Sequence, residues 1–581
     1  MEQRRFLLAM ILSGLVIFLW QVFLVPPPDP DLEEITTEEL AEQVDEEIDD
    51  EAVVDEADPA EVEEAEPTDV EEIDEEALAE AMADDEEVDV EAAPIEARVD
   101  VMQAQNLRVE LSNRGGVVRD ARVTAPEQYA GIGGQMMRAF EEEHVPDWPY
   151  SLVFEGQMID VASDQMYELV ADESEFAADG ESFERIVYRY EEPRGRYVID
   201  KIYTVDDERR YVVNLEVRIE NHLDDVPLID RMSLDITGRD DPDKDAPFFD
   251  FRPDVLEGVC HTTDDTERDN HDGLDGLVEY TGHNVLWAGA DTRYFMMAAA
   301  PVEGAESCSF ERAGEEGDYL RTRITHANFS IPSGDSLSTR YTLFMGPKDF
   351  DVLRETGHEF QEAVDYGLFT ILARPLRFLL VRAYNLVHNW GLAIILLTLL
   401  IKALTWRITG KAYENAERMK QIQPVIKEIR EKYENDQQRM TEETMKAFKE
   451  NNVSPLGCLP LLLQMPILYG LFVMIYNSVE LYHAQFLWYA DLSAPDPWFI
   501  LPVVMGGVMF IQQRLTMSTA ATTNPQMMMV MKIMPVAFTA FMLFLPAGLV
   551  LYYLLNLLIG LAQQFLIKRK FRLAEEAGEE A

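Results

Sequence analysis

Five apolar segments follow one another through the C-terminal third of the chain and restrict what this region can fold into. They lie at 390–407, 456–477, 498–513, 527–546 and 547–567. A helix rises about 1.5 Å per residue, so roughly 20 apolar residues cross a hydrocarbon core of about 30 Å. The sequence therefore predicts five membrane-spanning helices, and the stretch "LPAG" predicts a tight hairpin between the last two.

A further apolar run lies near the N-terminus and is followed by an acidic segment. Residues 6–25 read "FLLAMILSGLVIFLWQVFLV" behind Arg4 and Arg5, and no small-x-small cleavage pattern follows. These features predict an uncleaved signal-anchor helix at 1–28. Residues 29–96 hold 34 Asp and Glu and neither Lys nor Arg. We therefore expect a disordered acidic linker at 29–99.

The net charge of −61 argues against nucleic acid as a direct partner, because phosphate binding needs a basic surface. The acidity extends beyond the linker into the remaining chain. Adaptation to high salt explains such a composition, since surface carboxylates keep a protein hydrated and soluble.

Residues 100–345 have the pattern of short β-strands. In "RYVVNLEVRIEN" apolar and polar residues alternate, as in a half-buried strand, and "RYVIDKIYTV", "FERIVYRYEE" and "STRYTLFMG" are similar. This pattern predicts one large extracytoplasmic antiparallel β-sandwich. No nucleophile motif, phosphate loop or metal-spaced ligand set is present, so we expect no catalytic residue, cofactor or metal. Cys260 and Cys308 fit either a disulfide or two free thiols.

Residues 346–389 form an amphipathic interfacial region in this interpretation. The stretch "FTILARPLRFLLVRAYNLVHN" mixes apolar residues with Arg374, Arg377 and Arg382. Such a helix can lie flat on a membrane. Packing against the β-sandwich is the alternative that the pattern leaves open.

The distribution of basic residues predicts the orientation. The loop 407–455 carries ten Lys and Arg, the tail after 567 carries four more, and the loop 478–497 carries none. By the positive-inside rule, six spans then leave both termini in the cytoplasm and 29–389 in the periplasm. The apolar spacing within 410–452 predicts a charged cytoplasmic helical hairpin, whose charges form either a solvated face or a docking surface. Residues 571–581 would be a cytoplasmic tail.

Lys402 interrupts the first segment, "ILLTLLIKALTW", and shares a helical face with Thr398. At about 100° per residue, the polar side chains of the last segment also fall on one third of the helix. They are Tyr552, Tyr553, Asn556, Gln563 and Gln564. Gln464 and Gln513 lie on two further segments. Because the predicted orientation puts these groups in the cytoplasmic half or near the middle, they predict a hydrophilic groove open to the cytosol.

Two simpler interpretations compete with the groove. The Lys402 side chain could snorkel toward the headgroups near Trp406, and the polar groups could form ordinary interhelical hydrogen bonds. However, the five segments contain neither Asp nor Glu. Lys402 thus has no intramembrane counter-ion in its own chain, which costs several kcal/mol unless water reaches it. A hydrated cation of this kind can receive an acidic segment of another polypeptide.

Several stretches carry a family resemblance. From "NWGLAIILLTLLIKALTWRIT" through "NNVSPLGCLPLLLQMPILYGL" to "IMPVAFTAFMLFLPAGLVLYYLLN", residues 349–570 resemble the YidC/Oxa/Alb membrane protein insertases. The N-terminal anchor, the acidic linker and the β-rich region, with "LSNRGGVV" and "WAGADTRYFMMAAAP", resemble the Gram-negative bacterial form.

The resemblance implies a function. It implies an insertase core of five helices at 390–570, with a groove open to cytosol and lipid, and a periplasmic β-supersandwich that is largely dispensable for insertion. Nascent membrane proteins would be its substrates in the bacterial inner membrane, alone or with the Sec translocon. The hairpin 410–452 and the tail are candidate docking surfaces for a ribosome or a targeting receptor.

The resemblance also assigns roles to single residues. Thr398 and Tyr553 match the family's groove contacts, and Gln464 and Gln513 match its polar lining. The groove cation of the family is usually arginine, and Lys402 keeps the charge but lacks the planar fork.

Two other functions fit a membrane protein of this size. An ion-coupled transporter would need intramembrane carboxylates and polar groups in both halves of the membrane, and the sequence offers neither. A membrane-anchored periplasmic binding protein would not explain a polar face shared by four helices. We therefore expect a non-enzymatic insertase that needs no nucleotide.

Overall fold

The computed structural model describes residues 95–126, 128–129, 148–156, 158–239, 256–274, 276–314, 319–434, 436–451, 453, 459–517 and 525–579. The predicted signal anchor at 1–28 and almost all of the predicted acidic linker at 29–99 lie outside the described residues.

Strands fill residues 99–347, which are called the β domain below. Their bounds are β1 Val99–Ala104, β2 Leu107–Ser112, β3 Val117–Val123, β4 Ser151–Phe154, β5 Glu168–Leu169, β6 Glu175–Phe176, β7 Phe183–Glu191, β8 Tyr197–Val205, β9 Val212–Asn221, β10 Leu228–Asp230, β11 Met232–Arg239, β12 Glu257–Thr262, β13 Thr266–Asn270, β14 Val278–Asp291, β15 Phe295–Pro301, β16 Ala305–Ala313, β17 Tyr319–Thr325, β18 Phe329–Ile331 and β19 Ser336–Pro347. The prediction of a β-rich region is confirmed.

Hydrogen bonds join 17 of these strands into one sheet, and β10 and β18 form a separate pair. Nearly all pairings are antiparallel, as in β7–β8–β9 and β9–β19. The exception among the described strands is a single parallel bridge between Met102 of β1 and Phe183 of β7. Antiparallel neighbours are therefore the rule, as the short strands and frequent turns predicted.

Burial differs between neighbouring strands. Strand β9 alternates buried and half-buried residues, as its sequence predicted. The prediction of a half-buried strand is wrong for β8, whose first seven residues are all buried. Lys201 in β8 is fully buried, and its Nζ donates to the carbonyls of Gly115 (3.1 Å) and Tyr150 (2.8 Å). Chain segments around these two residues cover the face of β8 that was expected to meet water.

Cys260 of β12 and Cys308 of β16 form a disulfide, with their Cα atoms 6.5 Å apart. The sequence left a disulfide and two free thiols open, and the structure has the disulfide. Both cysteines are fully buried in the core of the β domain.

Helices follow the β domain. They are α1 Phe350–Thr356, α2 Thr370–Val387, α3 Trp390–Lys432, α4 Gln437–Glu450, α5 Leu459–Tyr476, α6 Ile500–Met517, α7 Pro525–Met542 and α8 Ala547–Glu579. Helix α8 packs on α3, α5 and α6, while α2 packs on α3 and α5. Helix α3 is continuous, so one helix covers both the predicted span 390–407 and the first arm of the predicted hairpin 410–452.

Two of the described helices are long and apolar enough to cross a membrane: α3, and the part of α8 from Ala547 to Leu573. Shorter apolar helices lie at Pro466–Tyr476, Ile500–Arg514 and Ile533–Met542. The predicted number of six spans is therefore not confirmed by the described helices.

Helix α2 has two different faces. Ala373, Arg377 and Leu380 are buried, whereas Ile371 and Leu386 are largely exposed. One face thus packs inside the protein, as in the alternative that the sequence left open, while the other face presents apolar side chains outward.

Candidate functional site

Lys402 lies inside the helical bundle. Only 6% of its surface is exposed, so the side chain does not extend outward from α3. Among the residues that the structure describes, its ammonium forms neither an ion pair nor a hydrogen bond. The polar groups nearest to Lys402 therefore determine which interactions its ammonium can make.

Gly560 of α8 leaves a space opposite Lys402 because it has no side chain. A Cβ added to Gly560 would lie 3.9 Å from Lys402 Nζ, 2.9 Å from Tyr413 Oη and 4.0 Å from Gln512 Nε2. Glycine here leaves room between three polar side chains from α3 and α6. Because a larger residue would crowd these groups, Gly560 helps to form the site even though it has no side chain.

The polar face of α3 is longer than the sequence analysis predicted. Thr409 and Tyr413 follow Lys402 by seven and eleven residues, and both intervals return to nearly the same side of a helix. Thr409 donates its hydroxyl to Gln563 Oε1 at 3.0 Å. This spacing is readable in the sequence, but the predicted span ends at residue 407, before both residues.

Thr398 lies one turn before Lys402 and is fully buried. Its hydroxyl donates to the carbonyl of Ile394 in the same helix, at 2.7 Å. The hydroxyl hydrogen is thus already in use, and Thr398 can offer a ligand only its oxygen lone pairs.

Asn556 on α8 resembles Lys402 in its burial and in its lack of a hydrogen-bonding partner among the described residues. Its exposed fraction is 8%, and it forms no hydrogen bond with the residues that the structure describes. It lies one turn before Gly560 on α8, and therefore on the face that meets Lys402. A buried amide without a partner is costly, so the two residues together form a polar interior with unused hydrogen-bonding capacity.

A hydrogen bond joins α5 to α8. Gln464 Nε2 donates to the hydroxyl of Tyr552 at 3.1 Å, and Tyr552 is fully buried. Tyr553, the next residue, is half-buried and packs on Phe538 of α7, with 5.1 Å between ring centroids. Gln513, on α6, is also half-buried.

Gln563 links α8 to α3 through two hydrogen bonds. Its amide donates to the carbonyl of Trp406 at 2.8 Å while its oxygen accepts from Thr409. Ordinary interhelical hydrogen bonding, the alternative considered from the sequence, describes Gln563 and also the pair Gln464–Tyr552. It does not describe Lys402 or Asn556.

The site contains a cation and amides, but it offers nothing that would hold a metal. In the described ranges no group of three or more His, Cys, Asp or Glu lies close enough together to bind a metal ion. Helices α3, α5, α6 and α8 thus supply polar groups suited to transient hydrogen bonds and attraction of a negative charge.

A second buried cation lies outside the predicted spans. Arg377 Nε donates to Glu480 Oε1 at 2.8 Å, and Asp351 and Asp349 lie 3.2 and 3.5 Å from its Nη2. Burial raises the pKa of Glu480, against the lowering effect of Arg377. The backbone carbonyl of Glu480 also accepts from Gln128 of the β domain at 2.9 Å. This cluster, missed in the sequence analysis, joins α2 and the segment after α5 to the β domain.

Comparisons with known proteins agree with the two-part architecture. Residues 99–379 match the family described as YidC periplasmic domain, and residues 382–575 match the family described as 60Kd inner membrane protein.

Individual relatives are named membrane protein insertase YidC. The membrane protein insertase YidC of Syntrophus aciditrophicus is 32% identical over 463 residues, which cover 79% of this chain and 82% of the relative. The membrane protein insertase YidC of Oleidesulfovibrio alaskensis is 43% identical over 296 residues, or 49% of this chain and 54% of the relative.

A crystal structure of an active YidC insertase, with its first transmembrane domain resolved, is 18% identical and has a TM-score of 0.34. The match spans 80% of this chain and 94% of the other. Two family models match this chain, and the relative from Syntrophus aciditrophicus aligns over most of both proteins. The chain therefore belongs to the YidC family of membrane protein insertases.

Proposed function

We propose that this protein inserts helical membrane proteins into the bacterial inner membrane through a hydrophilic groove formed by α3, α5, α6 and α8. The groove opens to the cytosol and to lipid. The step is non-covalent, so it requires no catalytic residue, cofactor or nucleotide from this chain.

One observation carries the proposal: Lys402 is buried and lacks an ionic partner among the described residues, and Asn556 on the facing helix lacks a hydrogen-bonding partner as well. Leaving a buried cation unpaired costs several kcal/mol unless water or a ligand reaches it. A short polar or acidic segment of a substrate would supply the missing interactions.

The chemistry of a passing segment follows from these groups. Lys402 attracts the negative charge, while Asn556 and Gln464 exchange hydrogen bonds with the exposed backbone of an unfolded tail. The apolar part of the substrate leaves through the opening toward lipid. Its transfer into the membrane contributes about 25 cal/mol per Å² of apolar surface, which drives completion.

The proposed topology has six spans, with both termini in the cytoplasm and 29–389 in the periplasm. The spans are a signal anchor at 1–28 and five core helices within 390–570. The basic loop 407–455 and the basic residues after 567 support a cytoplasmic position for these regions. The disulfide between Cys260 and Cys308 supports an oxidising compartment for the β domain.

The exposed apolar face of α2 supports an interfacial position for 346–389. Ile371 is 90% exposed and Leu386 75%, while Arg382 lies on the same side of the helix. A helix at the membrane surface buries such apolar side chains among acyl chains and keeps arginine at the headgroups.

Docking of cytosolic partners would use the helical hairpin of α3 and α4. A cleft of about 680 Å³ lies between its arms, and its lining includes Lys427, Arg430 and Phe448. Basic and apolar groups together suit the acidic surface of a ribosome or a targeting receptor, and the Sec translocon would act alongside on larger substrates.

A substitution series at Lys402 tests the proposal. Lys402→Arg should retain insertion of short-tailed single- and double-spanning substrates. Lys402→Ala should slow it about tenfold, which corresponds to roughly 1.4 kcal/mol of barrier. Lys402→Glu should abolish it. The matched control is Lys411→Ala, because Lys411 lies on the same helix and is exposed. Equal insertion by Lys402→Glu and by the native protein would refute a role for the positive charge.

A further inference from the structure

The loop 484–499 between α5 and α6, called the cap loop below, touches the first turns of three helices. It contains five buried residues: Ala484, Tyr489, Leu492, Ser493 and Asp496. A surface connection of this length usually has exposed backbone and few buried side chains. The cap loop is therefore anchored to the helices at five buried positions.

The cap loop completes the start of α8. The N–H of Ala547 donates to the carbonyl of Ala494 at 2.8 Å, and the N–H of Gly548 donates to the carbonyl of Leu492 at 2.9 Å. These are the first two residues of the helix, whose N–H groups have no partner within the helix itself. The loop thus satisfies groups that would otherwise require water.

Asp496 fixes the cap loop to the start of α6. It is 1% exposed, and its carboxylate accepts from the Leu501 N–H at 2.8 Å and the Trp498 N–H at 3.0 Å. The Tyr489 hydroxyl and the Trp488 indole also donate to it, at 3.2 and 3.4 Å. One carboxylate therefore holds both halves of the loop and caps the helix at the same time.

The cap loop also covers the start of α3. A Cβ added to Gly391 would lie 2.1 Å from Cγ of Phe486, so the ring rests directly on the backbone of the first helical turn. Beneath it, a Cβ on Gly548 would lie 3.1 Å from Cδ1 of Ile394 and 3.3 Å from the Leu492 carbonyl oxygen. The first turns of α3 and α8 are thus packed closely under the loop.

We propose that the cap loop is the seal that closes the groove on its periplasmic side, and that Asp496 is the residue that positions the seal. The inference rests on the proposed function, which places this end of the bundle outside the cytoplasm. Tyr552 follows Ala547 by five residues and Thr398 follows Gly391 by seven, which is about 7 to 11 Å of helix rise. This short apolar layer and the cap loop lie between the polar interior and the end of the bundle that the proposed function places toward the periplasm.

Two single cysteines in a Cys458→Ser background test the seal with a water-soluble, membrane-impermeant maleimide. Ile394→Cys reports from beneath the cap loop, since Ile394 is 1% exposed, and Asn556→Cys reports from the groove. With the native loop, maleimide added from the periplasmic side should leave position 394 unlabelled, whereas maleimide from the cytoplasmic side should label position 556.

Asp496→Ala should raise periplasmic labelling at position 394 about tenfold or more, because local opening sets the rate of such a reaction. The matched control is Asp491→Ala, since Asp491 accepts hydrogen bonds from Ser493 within the loop and caps no helix. It should change the labelling rate less than about twofold. Phe486→Ala removes the ring from Gly391 and leaves the bonds of Asp496 intact, which keeps the test valid if Asp496→Ala does not fold.

The outcomes separate the two proposals. Periplasmic labelling of position 394 under the native loop, or continued protection in both Asp496→Ala and Phe486→Ala, would overturn the seal. Absence of cytoplasmic labelling at position 556 would overturn the groove, even where Asp496→Ala opens position 394 to the periplasm.

Discussion

Arg377 and Lys402 are two buried cations in the same helical region, and each exposes 6% of its surface. Arg377 is surrounded by the carboxylates of Glu480, Asp349 and Asp351. Lys402 has no carboxylate partner among the described residues. Equal burial with opposite surroundings indicates that the two charges serve different purposes.

The electrostatics of Arg377 are those of a structural ion pair. Burial alone would lower its pKa, but the negative charge of Glu480 and its neighbours raises the pKa instead. Such a cation stays charged and holds the elements around it together. An unpaired cation contributes no such cohesion, so its retention in the interior favours an interaction with something that arrives from outside.

The largest effect is expected from breaking the paired cluster. Arg377→Met leaves Glu480 buried without its partner, which should lower the free energy of unfolding by about 3 to 5 kcal/mol. Thermal unfolding of the detergent-solubilised protein measures the change. Arg382→Met, on the exposed side of α2, should have little effect. Pairing Arg377→Met with Glu480→Leu should recover much of the loss, and a single variant as stable as the native protein would contradict the structural role.

Lys201 in the β domain, a third buried basic residue, provides a pH-dependent test. Burial lowers its pKa from 10.5 to about 7. Between these values the unfolded chain binds the proton and the folded chain does not, so stability should rise with pH from 7 to 10. The slope is at most about 1.4 kcal/mol per pH unit.

Lys201→Met should remove this pH slope and raise stability at pH 7, as measured by unfolding midpoints across the same range. Lys348 is the matched lysine, because it is buried but lies 2.6 Å from Asp291 Oδ2. Lys348→Met should lower stability and keep the slope. A native protein whose midpoint is flat between pH 7 and 10 would show that Lys201 is charged in the folded state.

Compared with Arg377→Met, a smaller change in stability of opposite sign is expected at Lys402. Lys402→Met removes an unpaired buried charge, so the protein should become more stable by about 1 to 2 kcal/mol while insertion falls. Thermal unfolding and an insertion assay on the same preparation measure both quantities. A loss of stability close to that of Arg377→Met would mean that Lys402 is a structural cation after all.

The smallest effect is expected at the hydrogen bond between Gln464 and Tyr552. Tyr552→Phe removes this bond with little change in volume, and interhelical bonds within membranes contribute about 0.6 kcal/mol on average. Unfolding midpoints should shift slightly and insertion should persist. A loss of insertion comparable to Lys402→Ala would place Tyr552 among the residues that contact the substrate.

Periodic features of this molecule could be predicted from the sequence. The alternation in β9 predicted a half-buried strand. The residue spacing predicted that Thr398 and Lys402 share one face of α3 and that Asn556 lies on the polar face of α8. These inferences need only the local geometry of a strand or a helix. The same argument would have extended the polar face to Tyr413 if the helix had been followed further.

Features that depend on distant partners could not be predicted. Arg377 and Glu480 are 103 residues apart, and nothing in either local sequence indicates the other. Lys201 lies in an alternating stretch that indicates exposure, yet segments 86 and 51 residues away cover it. The pairing of Cys260 with Cys308 likewise depends on which strands meet in the sheet.

The unbroken course of α3 has a mechanical consequence. From Lys402 to Pro424 the helix runs about 33 Å without interruption, so it acts as a rigid lever whose far end carries the hairpin. A tilt of about 10° at that end corresponds to a displacement of about 6 Å along this length. A displacement of the hairpin is therefore transmitted along α3 to the segment that carries Lys402.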